Sequence, residues 1–257
     1  VPELEETVGV EQGGTHSYDV WEHLLRSLQH AADRGFPFHV KLAALFHDIG
    51  KPRSRRKGEH KEWTFYGHEV IGAKMSREIL AKRLRFDKDT VTRVTTLIRW
   101  HMFFSDTEQI THSAIRRLIQ NVGKENIWDL VRLRRCDRIG TGRPKERPYR
   151  LRKYESMIEE VMADPISVGM LAVDGNTLME KLALTPGPKI GFILHALLEE
   201  VLDDPPRNTG EYLLERAEAL AKLSDAELRE RGQAGKEKRE SAEEEQKSEI
   251  RGKYRVE

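Results

Sequence analysis

Cys136 is the only cysteine among 257 residues, so no disulfide can close within the chain, and a reducing compartment suits it. Long apolar runs are missing as well: no stretch of about 18 apolar residues exists, which excludes a helical membrane span. The acidic start, Val1 to Glu11, has neither the basic end nor the apolar centre of a secretory signal. A cytoplasmic address is therefore expected. No convincing alternation of apolar and polar residues appears, so there is no strand pattern from which to build a sheet. Charge of one sign is also lacking: 44 Lys and Arg face 43 Asp and Glu, a formal net charge of +1, which argues against a polyanion-binding surface over the whole molecule. A first residue of valine leads us to expect a piece of something longer.

What is present is helical periodicity. With 38% apolar and 34% charged residues the chain can bury one sizeable core with a smaller appendage. Apolar spacing and flanking breakers predict helices over roughly 16–34, 38–49, 64–84, 87–101, 111–122, 125–139 and 149–163. The expected class is all-α, an irregular bundle whose functional side chains come from several helices. The expected divisions are a leader at 1–15, a main domain at 16–163, a helical hairpin unit at 164–223 after the break at Asp164-Pro165, and a charged tail at 224–257.

The informative stretch is Leu42-Ala43-Ala44-Leu45-Phe46-His47-Asp48-Ile49-Gly50-Lys51-Pro52. Gly50 and Pro52 are read as stop signals, Gly50 in the left-handed position, which puts His47 and Asp48 in the last helical turn. The negative end of the helix dipole, a carboxylate and a neutral imidazole together favour a cation there. An isolated His-Asp pair means little, but it is not isolated. His23 follows Val20 on an inward stripe, His68 shares a face with Ile71 and Met75, His101 continues Val91, Val94 and Ile98, and Asp137 continues Ile127, Leu130 and Leu133. Five helices each aim a His or Asp inward, where an unpartnered polar group costs several kcal/mol on the order of transfer data. A shared metal centre satisfies all of them.

Basic residues cluster beside these positions. Lys51 to Lys57 holds five basic residues and no acid; Arg132 to Lys153 holds ten against Asp137 and Glu146. Such clusters can be plain solvated faces, but both directly follow proposed ligands, which suggests a phosphate-bearing substrate. Lys51, Arg53 and Arg138 are the expected phosphate contacts.

The motifs His16-Ser17-Tyr18-Asp19-Val20-Trp21-Glu22-His23, His47-Asp48, Phe65-Tyr66-Gly67-His68-Glu69, Ile98-Arg99-Trp100-His101 and Arg135-Cys136-Asp137-Arg138 resemble the HD superfamily of metal-dependent phosphohydrolases. Their wording is similar to the HD region of bacterial tRNA nucleotidyltransferases and related poly(A) polymerases, as are Val173-Asp174-Gly175-Asn176 and Leu184-Thr185-Pro186-Gly187-Pro188-Lys189-Ile190-Gly191. The likeness runs from about Thr15 to Leu223. It implies an HD helical bundle with His23, His47, Asp48, His68, His101 and Asp137 as ligands of one or two divalent ions such as Mn, Fe, Ni or Mg. His47, Asp48 and Lys51 would carry the chemistry, hydrolysis of a phosphate ester by water activated at the metal. The implied substrate is an RNA end or nucleotide, of the 2′,3′-cyclic or monoester kind. One ion would need only His23, His47, Asp48 and Asp137. Two ions bridged by Asp48, about 3.5–4 Å apart, would use all six groups, and we expect two.

The unit after Pro165 reads as helices joined by a Gly-rich turn at Gly187 to Gly191, whose backbone N–H groups and Lys189 can meet a nucleic-acid phosphate or serve only as a turn. The resemblance implies that this part engages tRNA. From Ser224 onward the chain is nearly free of large apolar residues and is expected to be a solvated helix or a disordered tail. The Asp87-Lys88-Asp89 triplet is rejected as a nucleotidyltransferase carboxylate pair, because it opens a helix where Asp is an ordinary cap. Polymerisation by these residues alone is therefore not expected. The alternative to a hydrolase is the body and tail of a CCA-adding enzyme, without its catalytic head, contributing tRNA binding; a third reading is an interaction protein with a vestigial centre.

Overall fold

The computed structural model describes residues 1–13, 17–58, 63–103, 110–163 and 168–257. These form two compact units, Val1–Ile158 and Glu159–Glu257. The expected break at Asp164-Pro165 lies outside the described residues, as does His16.

The first unit is a bundle. Its helices are α1 (Pro2–Glu5), α2 (Val20–Asp33), α3 (Phe38–Phe46), α4 (Lys51–Ser54), α5 (His68–Glu78), α6 (Lys88–Trp100), α7 (His112–Val122), α8 (Ile127–Gly140) and α9 (Tyr149–Met162), the last running on into the second unit. The all-α expectation holds with one small addition. Between α4 and α5 a two-residue hairpin pairs β1 (Arg56–Lys57) with β2 (Trp63–Thr64), antiparallel, too short to leave an alternating signature in the sequence.

Local chemistry explains the helix starts. Asp19 and Asp87 lie just before α2 and α6, and their carboxylates accept from the backbone N–H of Glu22 and Thr90 at 2.8 and 2.9 Å, filling otherwise unpaired donors. Asp87 is thus a helix cap. The α2 stripe of Val20, His23, Leu24, Ser27 and Ala31 is wholly buried, and α2, α3, α6 and α8 pack around one core of Leu24, Val40, Phe46, Val94, Leu97, Ile98, Leu130 and Leu133.

The expected leader is part of this bundle. Leu4, Thr7, Val10 and Gln12 are buried, Glu6 forms a two-point ion pair with Arg53, and Glu3 pairs with Arg83.

The second unit contains α10 (Gly175–Leu182), α11 (Pro188–Asp203), α12 (Gly210–Ala221) and α13 (Asp225–Tyr254) around Leu178, Ile193, Leu197, Leu213, Ala217 and Leu228. Of the two forms expected for the tail, a solvated helix or a disordered segment, α13 is the helical one. It is one 30-residue helix opened by a capping box at Ser224 and Glu227, and it packs along α11 instead of standing free in solvent. The contact uses small residues: a Cβ on Gly232 would lie 2.8 Å from the Phe192 Cα, and one on Gly235 would lie 2.5 Å from the His195 carbonyl. Leu228 joins the apolar core of this unit, and at the far end of α13 the buried Tyr254 donates its hydroxyl to Glu159 of α9. Close backbone approach through glycine stands in for the bulky stripe that a sequence reading looks for.

Candidate metal centre

The six residues singled out from the sequence meet in the first unit. His23 projects from the buried face of α2, His47 caps the C-terminal end of α3, and Asp48 lies in the turn after it. His68 opens α5, His101 caps the end of α6, and Asp137 occupies the last turn of α8. Three helices therefore point their negative ends toward one place, a field that favours cations. All six side chains are buried.

Asp48 is the centre of the arrangement. Its Oδ2 lies 3.2 Å from His23 Nε2, 3.4 Å from His47 Nε2 and 2.6 Å from Lys51 Nζ. Its Oδ1 lies 3.2 Å from His68 Nε2 and 3.6 Å from His101 Nε2. Asp137 Oδ1 approaches His23 and His47 at 3.4 and 3.8 Å. Two triads result, His23-His47-Asp48 and Asp48-His68-His101, each with its donor atoms within 4.8 Å of one another.

The ring tautomers test whether these residues fit a cation. Nδ1 of His47, His68 and His101 faces the carbonyl of Ala44, Phe65 and Ile98 at 3.0, 2.8 and 2.7 Å. A carbonyl only accepts, so each Nδ1 carries the proton and a neutral ring presents a lone pair at Nε2. Those Nε2 atoms face other Nε2 atoms, His23 to His47 at 2.9 Å and His68 to His101 at 3.2 Å. Something positive, a proton or a metal ion, must sit between them. Backbone orientation of the distal ring nitrogen is the usual support of a metal-binding imidazole. The residues fit one or two divalent ions.

The electrostatics of the two carboxylates and of His101 agree, whereas at His47 burial is outweighed by Asp48 and Asp137, which shift the ring up. Burial would raise the Asp48 carboxyl, but the Lys51 ammonium and the His47 ring outweigh it and hold it well below the usual carboxylate range. Burial opposes ionisation of Asp137 too and is outweighed by the Arg134 guanidinium and the His47 ring. Both carboxylates are thus anionic and ready to bind. Burial pushes the His101 ring down, toward the neutral form a metal needs.

Gly50 is not the left-handed stop read from the sequence. Its φ is −79°, and α4 follows it directly. The glycine is required for space: a Cβ there would lie 2.3 Å from the His68 carbonyl and 2.7 Å from the Gly72 nitrogen, so its absence lets the His-Asp turn seat against the start of α5 and bring His68 to Asp48. Gly50→Ala is expected to cost about 1–3 kcal/mol of stability by overpacking and to loosen metal retention. Urea unfolding and metal content measure the two effects; an unchanged midpoint would show that the turn relaxes freely.

The cluster opens on a cavity of about 1140 Å³. Lys51, buried, lines it and is held by Asp48 and by Gln12 Oε1 at 2.6 Å. Arg138 lines it as well. Arg53 does not line it: its guanidinium is taken by Glu6, the acidic leader residue that the sequence reading left without a role. Lys189 belongs to the second unit, as the second residue of α11. The sequence reading missed Gln12 and Arg134, which donates to Asp137 Oδ2 at 2.6 Å. The i,i+3 spacing of Arg134 and Asp137 could have revealed the latter; nothing local marks Gln12.

A family model described as HD domain matches residues 13–159. The chain belongs to the HD domain family. Over 203 residues, 77% of this chain, it is 39% identical to the CC-adding tRNA nucleotidyltransferase of Thermus thermophilus, covering 44% of that protein. It is 33% identical over 208 residues to the A-adding tRNA nucleotidyltransferase of Deinococcus radiodurans, again 77% of this chain and 46% of that one. A multifunctional CCA protein of Neisseria meningitidis is 30% identical over 122 residues, 47% of this chain and 28% of the relative. The chain thus spans less than half the length of these relatives. No solved structure gives a significant match. HD domains bind divalent metals, in keeping with the two triads. No helix among the described residues is long and apolar enough to cross a membrane.

Proposed function

We propose that the first unit is a metal-dependent phosphohydrolase acting on a phosphate ester of an RNA end or nucleotide, of the 2′,3′-cyclic phosphodiesterase and phosphatase type. The observation that carries this reading is the convergence of four imidazole Nε2 atoms and two carboxylates beside a cavity lined with Lys51 and arginines. His23, His47, Asp48 and Asp137 would hold one ion, and Asp48, His68 and His101 a second. A divalent ion of the Mn, Fe, Ni or Mg class would supply Lewis acidity toward phosphoryl oxygen and a lowered pKa for water.

The chain's own groups do the rest. Lys51 carries its charge to the cavity wall, where it neutralises phosphate oxygen, and Gln12 fixes the ammonium so that it need not reorganise when charge builds up. Arg134 fixes the Asp137 carboxylate, leaving its Oδ1 toward His23 and His47. Arg138 offers a planar donor for a non-reacting oxygen. The test is the full chain with Mn, Ni or Mg and a panel of 2′,3′-cyclic nucleotides and 2′- and 3′-monophosphates. Metal-dependent, EDTA-sensitive release is expected; silence across the panel with every metal sinks the reading.

The identities of 39% and 33% to tRNA nucleotidyltransferases favour a second role, as the body and tail of such an enzyme that binds tRNA in the cytoplasm without itself adding nucleotides. If about six phosphates are contacted, tRNA affinity falls roughly a thousandfold between about 50 and 200 mM salt, and Lys189→Glu reduces the salt slope by about one. Filter binding across that range measures both. Affinity that ignores ionic strength contradicts the role.

A further inference from the structure

The cavity exceeds what one phosphate ester requires. Its volume of about 1140 Å³ is above the ~300–1,000 Å³ of pockets that enclose drug-sized ligands. Beyond the metal cluster its lining has two features that hydrolysis does not use. Two separate elements each present an exposed ring: Tyr66, in the turn before His68, is 88% exposed, and Tyr149, at the start of α9, is 44% exposed. Two guanidinium groups outside the hydrolytic set, Arg143 and Arg150, line the cavity as well.

Exposed rings alternating with cations are what a single strand of nucleic acid needs, since each base offers a face for stacking and each linkage a phosphate. A nucleoside triphosphate has one base and would use one ring. Resting on the hydrolase reading above, we propose that the cavity takes the end of an RNA strand two nucleotides deep. Its terminal phosphate sits at the metal centre, the terminal base stacks on Tyr66, the preceding base stacks on Tyr149, and the phosphate between them meets Arg143 and Arg150. Tyr149 and Arg150 are adjacent in sequence, so one segment reads both parts of the second nucleotide.

The test is calorimetric binding to the metal-loaded full chain. The probes are adenosine and the dinucleotide ApA, each ending in a 3′-methylenephosphonate whose C–P bond resists hydrolysis, together with ATP. The dinucleotide should bind at least about tenfold tighter than the mononucleotide, the range expected for one added stacked base and phosphate. Arg150→Glu should erase that advantage while changing mononucleotide affinity less than about threefold. Tyr66→Ala should weaken both probes about equally, and Tyr66→Phe should restore them. Both positions are exposed, so the variants should fold. Equal binding of mononucleotide and dinucleotide overturns the proposal, and so does ATP binding as tightly as the dinucleotide with the same loss in Arg150→Glu. Dinucleotide preference without turnover of the matching 2′,3′-cyclic ester upholds this subsite and refutes the hydrolase reading instead.

Discussion

Asp48→Ala is expected to strip the metal centre and to lower phosphoester hydrolysis by at least about a thousandfold, because even groups outside the ligand shell cost about 10–100-fold in metal affinity or activity when removed. Both Asp48 oxygens are engaged, Oδ2 toward His23 and His47 and Oδ1 toward His68 and His101, so one substitution opens both triads at once. Asp137 cannot replace it, since it approaches only His23 and His47 among the four rings. The variant has a second cost. Lys51, buried and 2.6 Å from Asp48 Oδ2, loses its carboxylate, and breaking a buried pair in this way costs about 3–5 kcal/mol, reduced by the hydrogen bond that Gln12 still accepts. Asp48→Asn keeps the shape and separates the two effects. Metal analysis after dialysis, with circular dichroism for helix content, decides the matter. Wild-type metal content in Asp48→Ala would remove Asp48 from the site.

The sequence carried the site better than it carried the surroundings. His23, His68, His101 and Asp137 were legible because each sits on an apolar stripe, where a polar residue needs a special partner, and the helices they ride on are long enough to show their period. Gly50 was misread because a glycine before a proline looks like a stop signal, whereas its true constraint, the His68 carbonyl, lies 18 positions away in the chain. Long-range pairs were invisible for the same reason. Nothing near Arg53 announces Glu6, and nothing near Lys51 announces Gln12, since both partners come from a segment with no periodic pattern. The packing of α13 against α11 escaped because glycine leaves no hydrophobic signature. Local rules find residues that must be buried; they do not find what buries them.

Two ions per chain are expected in the wild type, and the His68→Ala, His101→Ala double variant should retain one. The geometry divides the ligands cleanly. His23, His47 and Asp137 gather on the Oδ2 side of Asp48, and His68 and His101 on its Oδ1 side. A carboxylate whose two oxygens face different sets of imidazoles is suited to bridging, and a pair of ions so bridged can hold both the attacking and the leaving oxygen of a displacement at phosphorus. Were there only one ion, His68 and His101 would have to share a proton across their 3.2 Å Nε2 contact in the dry interior, yet burial drives His101 toward neutrality and works against that arrangement. The expected activity loss in the double variant is at least about a hundredfold, the scale seen when one preorganised contact to a developing charge is removed. Metal content per chain, measured by elemental analysis after exhaustive dialysis, is the deciding quantity. A fall from two to one with the His23-His47-Asp48 triad still loaded supports the paired centre; one ion before and after the substitutions refutes it and leaves His68 and His101 as donors to the substrate.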